Sequence, residues 1–146
     1  MSATTEQLYA ALSYCVEFAR AELEASGDFG PFGSKVEATG KVAHASELFV
    51  GETHLSEADM CEHILKKLRS ELADGHTIVI AVAAHVAIPD EYSPTHKDGI
   101  RVTLEARDYL RFIYVPYRLK RRFNSSKYHF ELADPFYIQP ARCSSR

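Results

Sequence analysis

Apolar residues recur at helical spacing over residues 5–26, at Leu8, Leu12, Cys15, Val16, Ala19 and Leu23. Thr4, with Gln7 three residues later, predicts a capping box at the start of this helix, and Gly27 predicts its end. A tight loop follows, Gly27-Asp28-Phe29-Gly30-Pro31-Phe32-Gly33, whose two phenylalanines pin the helix end to the sheet. Lys35–Ala38 and Val42–Ala45 flank the turn signal Thr39-Gly40, so residues 34–50 read as a hairpin, with Leu48, Phe49 and Val50 extending its second strand. A second helix runs from Leu55-Ser56 to about Ala73. Ser56 is its N-cap, Leu55 and Met60 form a hydrophobic staple, and Met60, Cys61, Ile64, Leu65, Leu68 and Leu72 form its apolar stripe.

Thr77 to Ile88 is almost wholly apolar and β-branched, which predicts a central strand covered on both faces. One of those faces presents Val79, Ala81, Ala83, His85 and Ala87, small enough for a helix to approach closely. After a polar loop over residues 89–97, Ile100–Arg107 and Leu110–Tyr117 alternate as strands around a turn at Asp108. Arg118–Ser126 reads as a basic and polar link, and Tyr128–Leu132 as a last strand before an aromatic and then polar tail. The expected fold is a single α+β domain of order α-β-β-α-β-β-β(-β). Its sheet is mostly antiparallel and flanked by two helices, an element order shared with profilin and roadblock domains. Residues 1–4 and 141–146 are expected to be flexible ends.

Composition agrees with a globular chain. Of 146 residues, 46% are apolar and 25% charged, and the net charge is −3. The longest apolar run, Ile78–Ile88, is too short for a membrane span and contains His85. No basic residue precedes an apolar stretch at the N-terminus, and Cys15, Cys61 and Cys143 are scattered without a CxxC. These features predict a cytoplasmic protein with no membrane partner. Charge is uneven: residues 1–75 carry 6 Lys/Arg against 13 Asp/Glu, and residues 76–146 carry 11 against 7.

Enzyme signatures are missing. His44-Ala45-Ser46-Glu47 puts serine where a zinc deaminase needs glutamate, and no P-C-x-x-C supplies thiolates. His54, His63, His76, His96 and His129 show no metal-site spacing. There is no G-x-S-x-G, no P-loop and no G-x-G-x-x-G. No catalytic residue, metal or cofactor is therefore expected. The candidate chemistry is recognition: Arg101, Arg107, Arg111, Tyr114, Tyr117, Arg118, Arg121 and Arg122 are of the types that protein interfaces favour.

Two segments carry a resemblance. Gly27–Gly33 after an amphipathic helix is one, and Asp98-Gly99-Ile100-Arg101-Val102-Thr103-Leu104-Glu105 before Val115-Pro116-Tyr117 is the other. Together they resemble a group of small bacterial proteins of unassigned activity with a helix, a GxFxPFG turn and a late strand. Gly99 stands where that pattern has alanine. The resemblance implies a bacterial origin and a common fold, and it implies no catalytic residues.

The reading that follows is a non-catalytic protein-binding module, concretely a toxin-neutralising immunity protein or inhibitor. The alternative is a small-molecule-binding domain or enzyme with a pocket around His85, Glu105 and Arg101. Nucleic-acid binding through the basic 118–127 segment is the third reading and the least expected, given the negative net charge. A homodimer through the 34–50 hairpin edge or the strand near Tyr128 is a further candidate.

Overall fold

The first helical stripe folds as α1 (Thr5–Ser26). Both halves of the capping box form: Thr4 Oγ1 accepts from the Gln7 amide at 3.1 Å, and Gln7 Oε1 accepts from the Thr4 amide at 2.9 Å. Gly27 closes the helix in the left-handed region (φ 84°), with its N–H on the Leu23 carbonyl. A side chain there would also meet the Tyr128 ring at 2.9 Å. The computed structural model describes residues 3–46, 56–121 and 128–138. The expected extension at Leu48–Val50, Leu55 of the staple, His54, Arg122, Lys127 and Cys143 lie outside these residues.

The strands are β1 (Phe32–Glu37), β2 (Val42–Ala45), β3 (Thr77–Ala87), β4 (Asp98–Ala106), β5 (Tyr109–Arg121), β6 (Tyr128–Leu132) and β7 (Phe136–Ile138). The second helix, α2 (Glu57–Ala73), falls between β2 and β3. One sheet runs β2-β1-β3-β4-β5-β6, and every pairing is antiparallel. β7 lies on the same edge of β5 as β6, against Phe112–Tyr114 rather than Tyr117–Arg121. The α+β class and the element order are those expected from the pattern, with β7 added.

Several details differ from that pattern, among them the start of β4 at Asp98 rather than Ile100. β1 begins at Phe32, because Gly33 lets the Ala81 carbonyl and the Leu68 side chain approach within 2.7 and 3.0 Å of where a Cβ would stand. Arg118–Arg121 is strand rather than link, because β6 pairs along it and Leu119 packs on the core. β7 has three residues, too few to show a period.

Alternation sorts the sheet into two faces. α1 covers the first, resting on β1, β3, β4, β5 and β6. Its fully buried row is Ala11, Cys15, Ala19 and Leu23, with small residues where Ala81 and Ala83 face it. The larger core lies here, with Phe29, Phe32, Val36, Val79, Ile100, Val102, Leu104, Val115, Tyr117 and Phe130. Both loop phenylalanines are buried in it, as the pinning role requires. Ser34 is buried among these neighbours; it donates to the Ala11 carbonyl at 3.0 Å and lies 3.4 Å from Cys15 Sγ.

α2 covers only part of the second face. Ser56 caps it by accepting from the Asp59 amide. Ile64 and Leu68 are buried against Ile80 and Val82, with Cys61, Leu65 and Leu72 packed around them. Among the described residues, the helix rests on β3 and β1 rather than on β4, β5 or β7. Among the described residues, no helix is long and apolar enough to cross a membrane.

Candidate functional site

The uncovered part of the α2-side face is built by register. Ala84 of β3 lies opposite Arg101 of β4, Arg101 lies opposite Tyr114 of β5, and Tyr114 lies opposite Phe136 of β7. One row across the sheet thus runs from a small residue through a guanidinium to two rings. The Tyr114 and Phe136 rings stack 5.2 Å apart and 7° from parallel. Tyr92 adds a third ring on Phe136, at 4.9 Å and 10°. Tyr92 comes from the loop between β3 and β4, and that loop is held in shape locally. The Tyr92 and Ser93 amides both donate to the Pro89 carbonyl, the Ile88 amide donates to the Lys97 carbonyl, and Lys97 pairs with Asp90. Tyr92 remains 50% exposed and Ile138, at the end of β7, 38%. This is apolar area left facing outward, not core.

Arg101 stands between this stack and α2. Its Nε is buried and has no hydrogen-bond partner. Its neighbours on the same strand face are better provided. Glu105 accepts from Arg69 of α2 at 2.9 Å, and Thr103 is buried. Cys61 of α2 lies close enough for the guanidinium to act on it. Burial pushes the Cys61 thiol pKa up, the Arg101 charge pulls it back, and Glu57 adds to the rise. A desolvated donor without an acceptor costs about 1–3 kcal/mol.

The other candidate residues do not gather here. Arg118 shares the α2-side face but is engaged by Glu131 at 2.7 Å, with Lys120 at 3.4 Å from the other carboxylate oxygen. These contacts, led by the Arg118 hydrogen bond, hold the Glu131 carboxyl below its usual range. Arg111 and Tyr117 point to the α1 side. Arg111 lies over the Tyr109 and Tyr137 rings at 4.8 and 5.8 Å. Tyr117 is only 3% exposed, stacked on Phe130, and burial raises its phenol pKa. Tyr117 is thus a core residue rather than a contact residue. Arg107 is exposed in the β4–β5 turn and Arg121 is exposed at the end of β5.

The expected pocket of His85 with Glu105 and Arg101 does not form. His85 pairs in register with Ile100, one residue off Arg101, so it faces the α1 side while Glu105 and Arg101 face the α2 side. There His85 lies between the Phe29 and Tyr117 rings, with Nε2 3.1 Å from Asp98 Oδ1.

A second cluster surrounds His44 on the edge strand β2. Its ring lies 5.5 Å from Phe32 in a stacked arrangement and 4.6 Å from Phe18, and the Tyr14 hydroxyl meets its Nδ1 at 2.8 Å. Burial lowers the His44 pKa. Beside it, Tyr9, Tyr14, Phe18 and Val42 line an open groove of about 450 Å³. Cys15, fully buried on α1, has its thiol pKa pushed up to about 12 by burial, against the lowering effect of its hydrogen bond with Ser34, and so is no nucleophile at neutral pH. Among the described residues no three His, Cys, Asp or Glu side chains converge as a metal would require.

Sequence reasoning reached Arg101 and Tyr114 and missed Tyr92 and Phe136. Those two sit in a polar loop and in a three-residue strand, where no period marks them. Comparison with protein-family models, with curated proteins and with solved structures returns no match.

Proposed function

We propose that this chain is a non-catalytic protein-binding module, and that it binds through the α2-side face of β4, β5 and β7. A stoichiometric inhibitor is the concrete form, of the kind that neutralises a bacterial toxin. One observation carries the reading: a three-ring stack, exposed at Tyr92, stands beside a guanidinium whose Nε is desolvated and unpartnered. Arginine next to tyrosine and phenylalanine is the composition of binding hot spots, and exposed stacked rings lose little side-chain freedom on docking. The uneven charge of the chain adds to this, since a free cation on the basic half attracts an acidic partner.

The test is affinity capture by the full chain from its native lysate at two salt concentrations, repeated with Tyr92→Ala and Tyr114→Ala. One stoichiometric protein, held at high salt by the wild type and lost from both variants, is the expected result. Equal capture by all three chains would place the interface elsewhere.

A further inference from the structure

We infer that the groove between α1 and the edge strand β2 is a binding site for a small organic ammonium ion, held by aromatic rings and the Glu17 carboxylate. The site is separate from the α2-side face and does not depend on the reading of that face. Tyr9, Ser13, Tyr14, Glu17 and Phe18 recur along one flank of α1 and form one wall, and Val42 of β2 supplies the other. Val42 lies in register with Val36, which places it on the α1 side of the sheet. The groove is open to solvent and, at about 450 Å³, has the size of a small-molecule site. Tyr9 is 67% exposed, and Glu17 and Val42 are exposed as well. A ligand therefore reaches these groups from outside without any part of the fold moving.

Two of the three rings are set in place before a ligand arrives. Tyr14 and Phe18 stand one turn apart on α1, with their rings 6.1 Å apart and 14° from parallel. The Tyr14 hydroxyl meets His44 Nδ1 at 2.8 Å, and Phe18 rests against the Phe32 ring at 4.6 Å. Rings held in this way need little further ordering on binding. Tyr9 extends the aromatic surface by a turn towards the start of the helix.

Charge decides what kind of molecule fits. Among the described residues, Glu17 is the only formally charged group lining the groove, and it makes no ion pair. Arg20, the one cation of α1, is paired with Glu24 and lies over the Phe130 ring. Burial lowers the His44 pKa, so the ring behind Tyr14 adds no positive charge at neutral pH. An anion would face Glu17 and the negative ring faces with no cation beside it. A metal ion finds no converging set of donors, since no three His, Cys, Asp or Glu side chains gather among the described residues. A cation whose charge is spread over methyl groups gains from both features of the groove. Its methyls lie against Tyr9, Tyr14 and Phe18, and its charge is drawn to the ring faces and to the carboxylate.

The test is an NMR titration of the full chain, read at the ring resonances of Tyr9, Tyr14 and Phe18. One probe is choline chloride. The other is its neutral carbon isostere, in which a tert-butyl group replaces the trimethylammonium group, and sodium chloride holds the ionic strength constant. Choline should shift these resonances saturably, and the isostere should bind about fivefold more weakly or worse, as when the charge contacts to one or two exposed rings are lost. Glu17→Gln and Tyr9→Ala, both at exposed positions, should each weaken choline binding by about threefold or more. No saturable shift with choline overturns the inference. Equal binding of choline and the isostere also overturns it, because the groove would then be apolar without selecting charge. Unchanged choline affinity in either variant removes that group from the site and overturns it as well.

Discussion

The two faces of one sheet have been treated differently. On the α1 side, a 22-residue helix presents Ala11, Cys15 and Ala19 to Ala81 and Ala83, and the small residues on both surfaces let it settle deeply across five strands. Leu23, Phe29, Phe32, Ile100, Leu104 and Phe130 are buried around that seam. On the α2 side, a 17-residue helix rests on β1 and β3 through Ile64 and Leu68, and among the described residues the other half of the face holds rings and charges. Coverage of a sheet face is thus set by how far the helix reaches, and the uncovered half is where a binding surface can be afforded. The one unpartnered buried side-chain atom among the described residues lies on that half.

The largest difference between the faces should appear on truncation. Leu104, 2% exposed under α1, should cost about 2–5 kcal/mol as Leu104→Ala, through lost burial and a cavity. Leu110 lies in register with Glu105 on the α2 side and is half-buried, and Leu110→Ala should cost about 1 kcal/mol or less. Urea denaturation of both variants gives the contrast, and equal losses would mean that the second face is packed as core.

Arg101→Met should go the other way. Removing an unsatisfied buried donor should stabilise the free chain by about 1 kcal/mol, seen as a rise of about 2–5 °C in melting temperature. Ser34→Ala provides the opposite control on the α1 side. It removes the hydrogen bond to the Ala11 carbonyl and should cost about 1 kcal/mol, read from the same thermal scan.

The smallest effect concerns His44. Burial lowers its pKa from the ordinary 6.5, so as pH falls the unfolded chain takes up this proton before the folded one does. The contribution of His44 to stability is therefore whole above about pH 6.5 and declines as pH drops below it. His44→Phe should flatten that part of the stability profile between pH 7 and pH 5. A steeper profile in the variant would mean that the protonated ring is stabilised by its surroundings.

Much of this architecture is legible in the chain itself. The capping box at Thr4, the stop at Gly27, the Ser56 cap and the apolar run of β3 are local signals, and each folds as its local chemistry requires. The faces are legible too where alternation is long, and Arg101 with Tyr114 falls on one of them. What escapes the sequence is register between distant segments. A one-residue offset decides that Ala84 rather than His85 stands beside Arg101, and nothing within either strand specifies it. Tyr92 and Phe136 are missed for the same reason: they join Tyr114 only through a loop and a short strand that return from elsewhere. Arg111 and Tyr117 share their strand with Tyr114, but their odd positions send them to the opposite face.

Site-specific photocrosslinking separates the two faces most directly. A benzophenone side chain is placed at Tyr92, on the uncovered α2-side face, or at Tyr9, 67% exposed on the outer surface of α1. Each full-length chain is irradiated in its native lysate. A single adduct of defined mass from position 92, suppressed by Tyr114→Ala and absent from position 9, is the predicted result. An adduct from position 9 with none from position 92 would contradict it and move the binding surface to the α1 side.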